Sequence, residues 1–297
     1  MSTPLVSIII PTYNSRTTLA WTLRSVLRQE CADFEVWVVG DGSTDGSEEV
    51  VASFGDERFN WVNLEKNSGN QSIPNNTGIK KSTGKFIAHL GHDDLWLPGH
   101  LSGLLELIES TGADFVHAQV AQYAPGGLVG ILGAPSKGRT YATSRLVPST
   151  WLYRREVFDV CGEWEQPEGL QQAIDVDYVR RVNAAGKRIV AADRVTVLKY
   201  PSHYWNAYQR TEGWPQEEPC RLIETDPVEL ERRLSVEMSA LLASQWRPLL
   251  SAAEIRREVY ERLRDNLLAP RPGGLAWVRR RVFQYLRMRS RKARGLS

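Results

Sequence analysis

Residues 85–91, "KFIAHLG", form an apolar run that leads into two adjacent carboxylates, Asp93 and Asp94. Neighbouring like charges raise each other's pKa unless a cation joins them. Oxygen ligands suit Mg2+ or Mn2+, which bind one or two carboxylates together with substrate phosphates. A cation bridging a diphosphate stabilises the charge that develops as that group leaves. Helix capping is the plainer alternative, and it fits poorly. With Pro98 as first helical residue the cap is Leu97, and both acids lie outside it. A second acidic stretch, "GDGSTDGSEE" (40–49), imitates the start of a calcium loop through Asp41, Ser43, Asp45 and Gly46. Its twelfth position is Ala52 where a Glu is needed, which excludes that reading. Asp41 is then either a turn former or an acceptor for the base or ribose of a nucleotide. A third stretch, "IDVD" (174–177), sets Asp175 and Asp177 at a helix start. Either acid can serve the helix dipole. In the sharper alternative Asp175 is a general base that takes a proton from an acceptor hydroxyl, with Trp164 upstream offering a flat face to a sugar ring.

These residues need elements that bring them together. "LVSIII" (5–10), "FEVWVVG" (34–40), "FNWVNLE" (59–65), "KFIAHLG" (85–91), "DFVHAQVAQY" (114–123) and "RIVAADRVTVLKY" (188–200) read as strands. Between them, 15–30, 47–54, 73–84, 98–111 and 175–187 read as helices, with Pro98 in the first turn of its helix and Gly84 ending the one before it. Strand and helix alternating at this spacing predict an α/β fold: a Rossmann-like, mainly parallel sheet with helices on both faces. Residues 122–150, rich in Gly, Pro and Ser, read as loops or a small hairpin. In open α/β sheets ligands bind beyond the carboxyl ends of the strands. Four polar segments fall there, "PTYN" (11–14), "GDGSTD" (40–45), "NSGNQ" (67–71) and "GHDD" (91–94), and "IDVD" joins them from a helix start. No G-x-G-x-x-G follows the first strand, which argues against a dinucleotide cofactor.

In this order the segments resemble the successive motifs of family-2 glycosyltransferases with a GT-A fold, over residues 4–205. The resemblance implies transfer of a sugar from a nucleotide-diphosphate donor, UDP-sugar favoured, with inversion at the anomeric carbon and Mn2+ or Mg2+ as cofactor. It places Pro11, Thr12, Tyr13, Asn14, Asp41, Asn75 and Asp93 on the nucleotide sugar, the metal on Asp94 with Asp93 and His203, Asp175 as catalytic base and Trp164 on the acceptor side. Three positions depart from the family's pattern. Gly91 stands where many members carry the first acid of D-x-D-D, Asn75 where an Arg is frequent, and Ile174 where a Glu precedes the base. They motivate the rival reading of a non-catalytic nucleotide-sugar-binding homologue. A two-carboxylate glycoside hydrolase is a further rival, which leaves the nucleotide-type loops without a role.

Three separated cysteines, Cys31, Cys161 and Cys220, suit reduced thiols and form neither a disulfide framework nor a zinc spacing. The start lacks a basic n-region and its apolar run ends at Pro11, so no signal peptide or membrane span is expected. The expected division is a GT-A domain over 1–222, a helical extension over 223–269 with helices at 227–245 and 251–268, and a basic amphipathic tail over 270–297. The formal net charge is +2, yet residues 275–297 hold eight Arg or Lys and no acid. Such a segment either lies on an anionic membrane surface or packs on protein. The expected setting is cytoplasmic and peripheral at the inner face of the membrane. The acceptor is expected to be a glycan or a lipid-linked sugar; an oligomer is left open, and nucleic acid is not an expected partner.

Overall fold

The computed structural model describes residues 3–134, 141, 145–206, 210 and 212–245. Met1–Arg232 form one compact unit and Arg233–Ser297 a second. The expected helix at 251–268 and the basic tail lie outside the described residues. In chain order the elements are β1 (Val6–Thr12), α1 (Arg16–Leu27), β2 (Phe34–Gly40), α2 (Ser47–Ser53), β3 (Phe59–Asn63), α3 (Ser72–Lys81), β4 (Phe86–His89), β5 (Leu95–Trp96), α4 (His100–Thr111), β6 (Phe115–Ala124), β7 (Gly127–Leu132), β8 (Trp151–Arg154), α5 (Arg155–Cys161), α6 (Ile174–Ala184), β9 (Ile189–Lys199), α7 (Ser202–Trp205), α8 (Glu217–Thr225) and α9 (Pro227–Gln245).

Among the described residues one sheet runs β3-β2-β1-β4-β8-β6-β9-β5, with β7 paired to β6. β3, β2, β1 and β4 are parallel. β8 enters antiparallel between β4 and β6, and β9 pairs parallel with β6. The central strands are continuous β-branched runs because both faces are covered: Val6, Ile8, Ile9 and Ile10 of β1 are all fully buried. One core layer holds Ile8, Ile10, Leu19, Leu23 and Val38. The other is aromatic, built on Trp151, Tyr153, Trp164 and Tyr178 with Ile9 and Phe115.

Sequence reading and structure part at several boundaries. α4 begins at His100 with Gly99 before it, so Pro98 lies outside the helix. The Pro98–Gly99 pair makes a turn closed by His100 N–H donating to the Leu97 carbonyl at 3.0 Å. α3 ends at Lys81, and the chain is already extended at Ser82, two residues before Gly84. β8 and α5 follow the 122–150 stretch as an unexpected strand and helix. α8 continues through 222 to Thr225, so the expected domain boundary falls inside a helix that is tied to α1 by the Arg24–Glu224 ion pair.

Candidate active site

The first strand ends open one side of the site. Asn14, just past β1, takes a left-handed conformation at φ 43°, which Asn tolerates better than most residues. Its N–H donates to Ser43 Oγ at 3.2 Å, and its side-chain oxygen accepts from Thr44 N–H at 2.9 Å. The loops after β1 and β2 are thereby locked together. Gly42, at φ +72°, lets the β2 loop rest on the 66–67 backbone, where a Cβ would meet Asn67 N at 2.6 Å. Ser68 then reaches Asp41 with both N–H and hydroxyl, at 2.9 and 3.1 Å. Asp41 is buried, and burial pushes its pKa up against those hydrogen bonds. Thr12 Oγ1 and both polar side-chain atoms of Asn75 are buried and make no hydrogen bond. Buried polar groups of this kind ordinarily have partners, so they are groups a ligand can satisfy. Thr12 and Asp41 sit side by side at the strand ends, with Asp41 N–H donating to the Thr12 carbonyl at 2.8 Å.

The paired acids occupy the short loop between β4 and β5. Asp93 accepts from Ser202 Oγ at 2.7 Å. Burial opposes its charge, but His92, Lys199 and that hydroxyl outweigh the penalty and lower its pKa. His92 is itself held by the Pro11 carbonyl, 3.1 Å from its Nδ1. Asp94 is fully buried. Its Oδ2 accepts from Ser149 Oγ at 2.5 Å and from Lys199 Nζ at 3.0 Å, and its Oδ1 from Tyr200 N–H at 3.3 Å. Burial pushes Asp94 up, Lys199 pulls it back and Asp93 adds to the rise. For Lys199 burial works against the charge, and Asp94, Asp93 and Asp175 together raise its pKa. The ammonium therefore keeps its proton, and the Lys199–Asp94 contact is an ion pair.

This arrangement bears on the cation expected at Asp93, Asp94 and His203. A metal ligand needs a lone pair facing an open coordination position. Asp94 has its oxygens turned to Ser149, Lys199 and Tyr200. His203 is an exposed residue of α7 whose ring is tilted against that of Tyr204, and the residue of α7 that reaches Asp93 is Ser202. Among the described residues no group of three His, Cys, Asp or Glu side chains is placed to hold a metal ion. The side chains as they stand do not fit a cation held on Asp94.

The two acids of α6 separate cleanly. Asp177 is buried and accepts from Arg181 Nε at 2.8 Å and Arg180 at 3.3 Å. Arg181 also bonds the carbonyls of Cys161 and Glu163. Asp177 thus anchors the helix to the preceding loop. Asp175 lies two residues earlier in the first turn of α6, within electrostatic reach of charged groups. Burial raises its pKa, and Arg145 and Lys199 are the cations that draw it back. Lys199 is paired with Asp94 and lies within electrostatic reach of Asp93 and Asp175, so acids of the 93–94 loop and of α6 act on one ammonium. Trp164 takes another place than expected. It is 2 % exposed and stacks between Trp151 and Tyr178 at centroid distances of 5.3 and 4.9 Å. Its backbone is clamped by Asn76, at 2.9 and 3.0 Å. Its large apolar face fills the aromatic core, so it offers no surface to a sugar.

A family model described as glycosyl transferase family 2 matches residues 7–162, which contain the strand ends, Asp41 and the Asp93–Asp94 pair. The chain belongs to glycosyl transferase family 2. Members of the family and fold generally use a divalent metal. The chain is 32% identical over 133 residues to the UDP-Glc:alpha-D-GlcNAc-diphosphoundecaprenol beta-1,3-glucosyltransferase WfgD of Escherichia coli, covering 45% of this chain and 52% of WfgD. It is 34% identical over 140 residues to the poly(ribitol-phosphate) beta-N-acetylglucosaminyltransferase TarP of Staphylococcus aureus, covering 46% and 38%. The match thus spans about half or less of the length of these relatives. Among solved structures, S. aureus TarS 1–349 in complex with UDP-GlcNAc superposes with a TM-score of 0.56 at 24% identity, covering 78% of this chain and 66% of that one. The mannosyltransferase PcManGT of Pyrobaculum calidifontis, solved with GDP-Man and Mn2+, gives 0.55 at 18% identity, covering 88% and 81%. These likenesses establish the GT-A fold expected from the sequence.

Proposed function

We propose that this family-2 chain transfers a sugar from a nucleoside-diphosphate donor, a UDP-sugar, to a hydroxyl of a glycan or lipid-linked acceptor, with inversion. The observation that carries the reading is the Lys199–Asp94 ion pair, with Asp93 and Asp175 within its electrostatic reach, beside the strand ends that bear Thr12 and Asp41. Thr12, Asp41 and Asn75, with Pro11, Tyr13 and Asn14 of the same loop, receive the nucleotide, and Asp93 faces its ribose and diphosphate. Support for UDP comes from the TarS complex with UDP-GlcNAc and from the donor in the name of WfgD. That name also carries a diphosphoundecaprenol acceptor, which agrees with a lipid-linked substrate brought to residues 275–297 at an anionic membrane surface. No helix among the described residues is long and apolar enough to cross a membrane.

In this reading Asp175 accepts the proton of the acceptor hydroxyl. The acceptor oxygen bonds to the anomeric carbon from the face opposite the diphosphate, and the electron pair of the broken carbon–oxygen bond leaves on the phosphate oxygen. A carboxylate with a raised pKa is a stronger base than an ordinary one. Asp175→Asn is expected to lower transfer by ~10²–10⁴-fold while UDP affinity, measured by calorimetry, stays at the wild-type value. Wild-type turnover in that variant removes Asp175 from the mechanism.

A further inference from the structure

Lys199 sits where the fold puts it with little freedom. β5 is two residues long, and it pairs antiparallel with β9 so that Leu95 stands opposite Leu198. Asp94 precedes Leu95 and Lys199 follows Leu198. The register of that two-residue strand therefore delivers the ammonium to the carboxylate, at 3.0 and 3.4 Å from its two oxygens. The Lys199 side chain is 24% exposed, so the cation is not sealed in. At Gly91 a further acid would require the paired carboxylates to shift. A Cβ on Gly91 would lie 3.2 Å from Asp93 Oδ1 and 3.2 Å from Asp94 Oδ2. The loop thus holds two adjacent carboxylates and, paired with one of them, a cation of the chain's own.

The geometry points to Lys199 as the built-in cation of the donor site: its ammonium binds the diphosphate of the nucleotide sugar, and transfer proceeds without a divalent metal. This rests on the transferase reading above. When the bond from the anomeric carbon to the phosphate oxygen breaks, the electron pair goes to that oxygen, and Lys199 lends it charge and hydrogen bonds while keeping its own proton. The acceptor's proton goes to Asp175. A preorganised donor aimed at developing charge acts in this way without a metal's coordination geometry.

The test is calorimetric binding of UDP and of GDP to the full chain, first in EDTA and then with excess Mn2+ or Mg2+. The expected result is the same affinity with and without metal. Lys199→Met should weaken binding or donor turnover by ~10²–10³-fold, and Lys199→Arg, which keeps the charge, should retain part of it. Lys199→Ala, which takes the ammonium away from Asp94, should acquire a Mn2+-dependent rise in melting temperature that the wild type lacks. Wild-type binding that appears only with metal overturns the inference and leaves the transferase reading standing. Binding of neither nucleotide under any condition overturns both. If Lys199→Met does not fold, the wild-type comparison and Lys199→Arg still decide.

Discussion

At the scale of single residues, the acids of the site are distinguished by what pairs with them. Asp177 has two arginines, Asp94 has Lys199, and Asp175 is left with burial as its largest influence. A carboxylate whose folded pKa lies above its unfolded value costs stability once it ionises. Between those two values the folded state binds more protons than the unfolded state, so stability falls as pH rises through the window and stays reduced above it. Asp175→Asn removes that cost. The variant is expected to melt above the wild type at neutral pH, with the gain shrinking as pH falls toward the ordinary carboxylate range. Thermal unfolding across that range checks this, and a variant less stable than wild type at neutral pH contradicts it. The carboxylates were legible in the sequence because paired and clustered acids at strand ends are conspicuous. Lys199 was not. It reads as the second-last residue of a strand, and its partner lies 105 positions away. The available signal was a lysine closing an otherwise apolar strand end, which a pairing register alone converts into a contact. Trp164 illustrates the opposite failure: a ring beside a polar loop reads as a sugar platform until packing shows it to be core.

At the scale of elements, α3 shows how closely a helix must approach the sheet to place its polar residues. Gly78 faces β1 and β2, and a Cβ there would lie 2.7 Å from Ile9 Cγ2 and 3.2 Å from Val39 Cγ2. Both neighbours are β-branched and stiff at χ1. Alanine is favoured over glycine in a helix by about 1 kcal/mol, and overpacking a filled core costs typically 1–3 kcal/mol. With no flexible atom to yield, overpacking wins. Gly78→Ala is expected to lower the denaturant midpoint without changing the slope, and to weaken nucleotide binding by shifting Asn75 on the same helix. Gly103→Ala on α4, where nothing lies within 4 Å, supplies the contrast and should gain stability by about 1 kcal/mol. A Gly78→Ala variant as stable as wild type would show that α3 slides freely on the sheet. The long parallel strands and α1, α4 and α6 were legible because their apolar periods span whole elements. β8 and α5 were missed because a four-residue strand and a seven-residue helix carry too few positions for a period, and their pairing partners β4 and β6 are distant in sequence.

At the scale of the whole molecule, both core layers contain histidines that are buried in the neutral form. His89 lies among Tyr153, Trp151 and Trp164, with its Nε2 2.8 Å from the Tyr153 hydroxyl. His100 stacks on Trp96 at 4.4 Å and meets Thr196 Oγ1 at 2.7 Å. His117 reaches the Ala118 carbonyl and the Tyr141 hydroxyl. Burial lowers their pKa to about 3, about 3 and about 4. A histidine depressed in this way supports the fold above its unfolded pKa, near 6.5, and loses that support as pH falls toward the folded value, because the unfolded chain takes up the proton first. At pH 5 the unfolded chain gains about 2 kcal/mol from each such group. Three of them acting on one cooperative unit should lower the melting temperature by on the order of 10 °C between pH 7 and pH 5. The acids with raised pKa values, Asp41, Asp94 and Asp175, act in the opposite direction as they take up protons. The histidines' own contribution is a fall in stability between neutrality and pH 5. A melting temperature that stays level over that interval would mean that the histidines are charged in the folded core, which the apolar rings around His89 and His100 oppose.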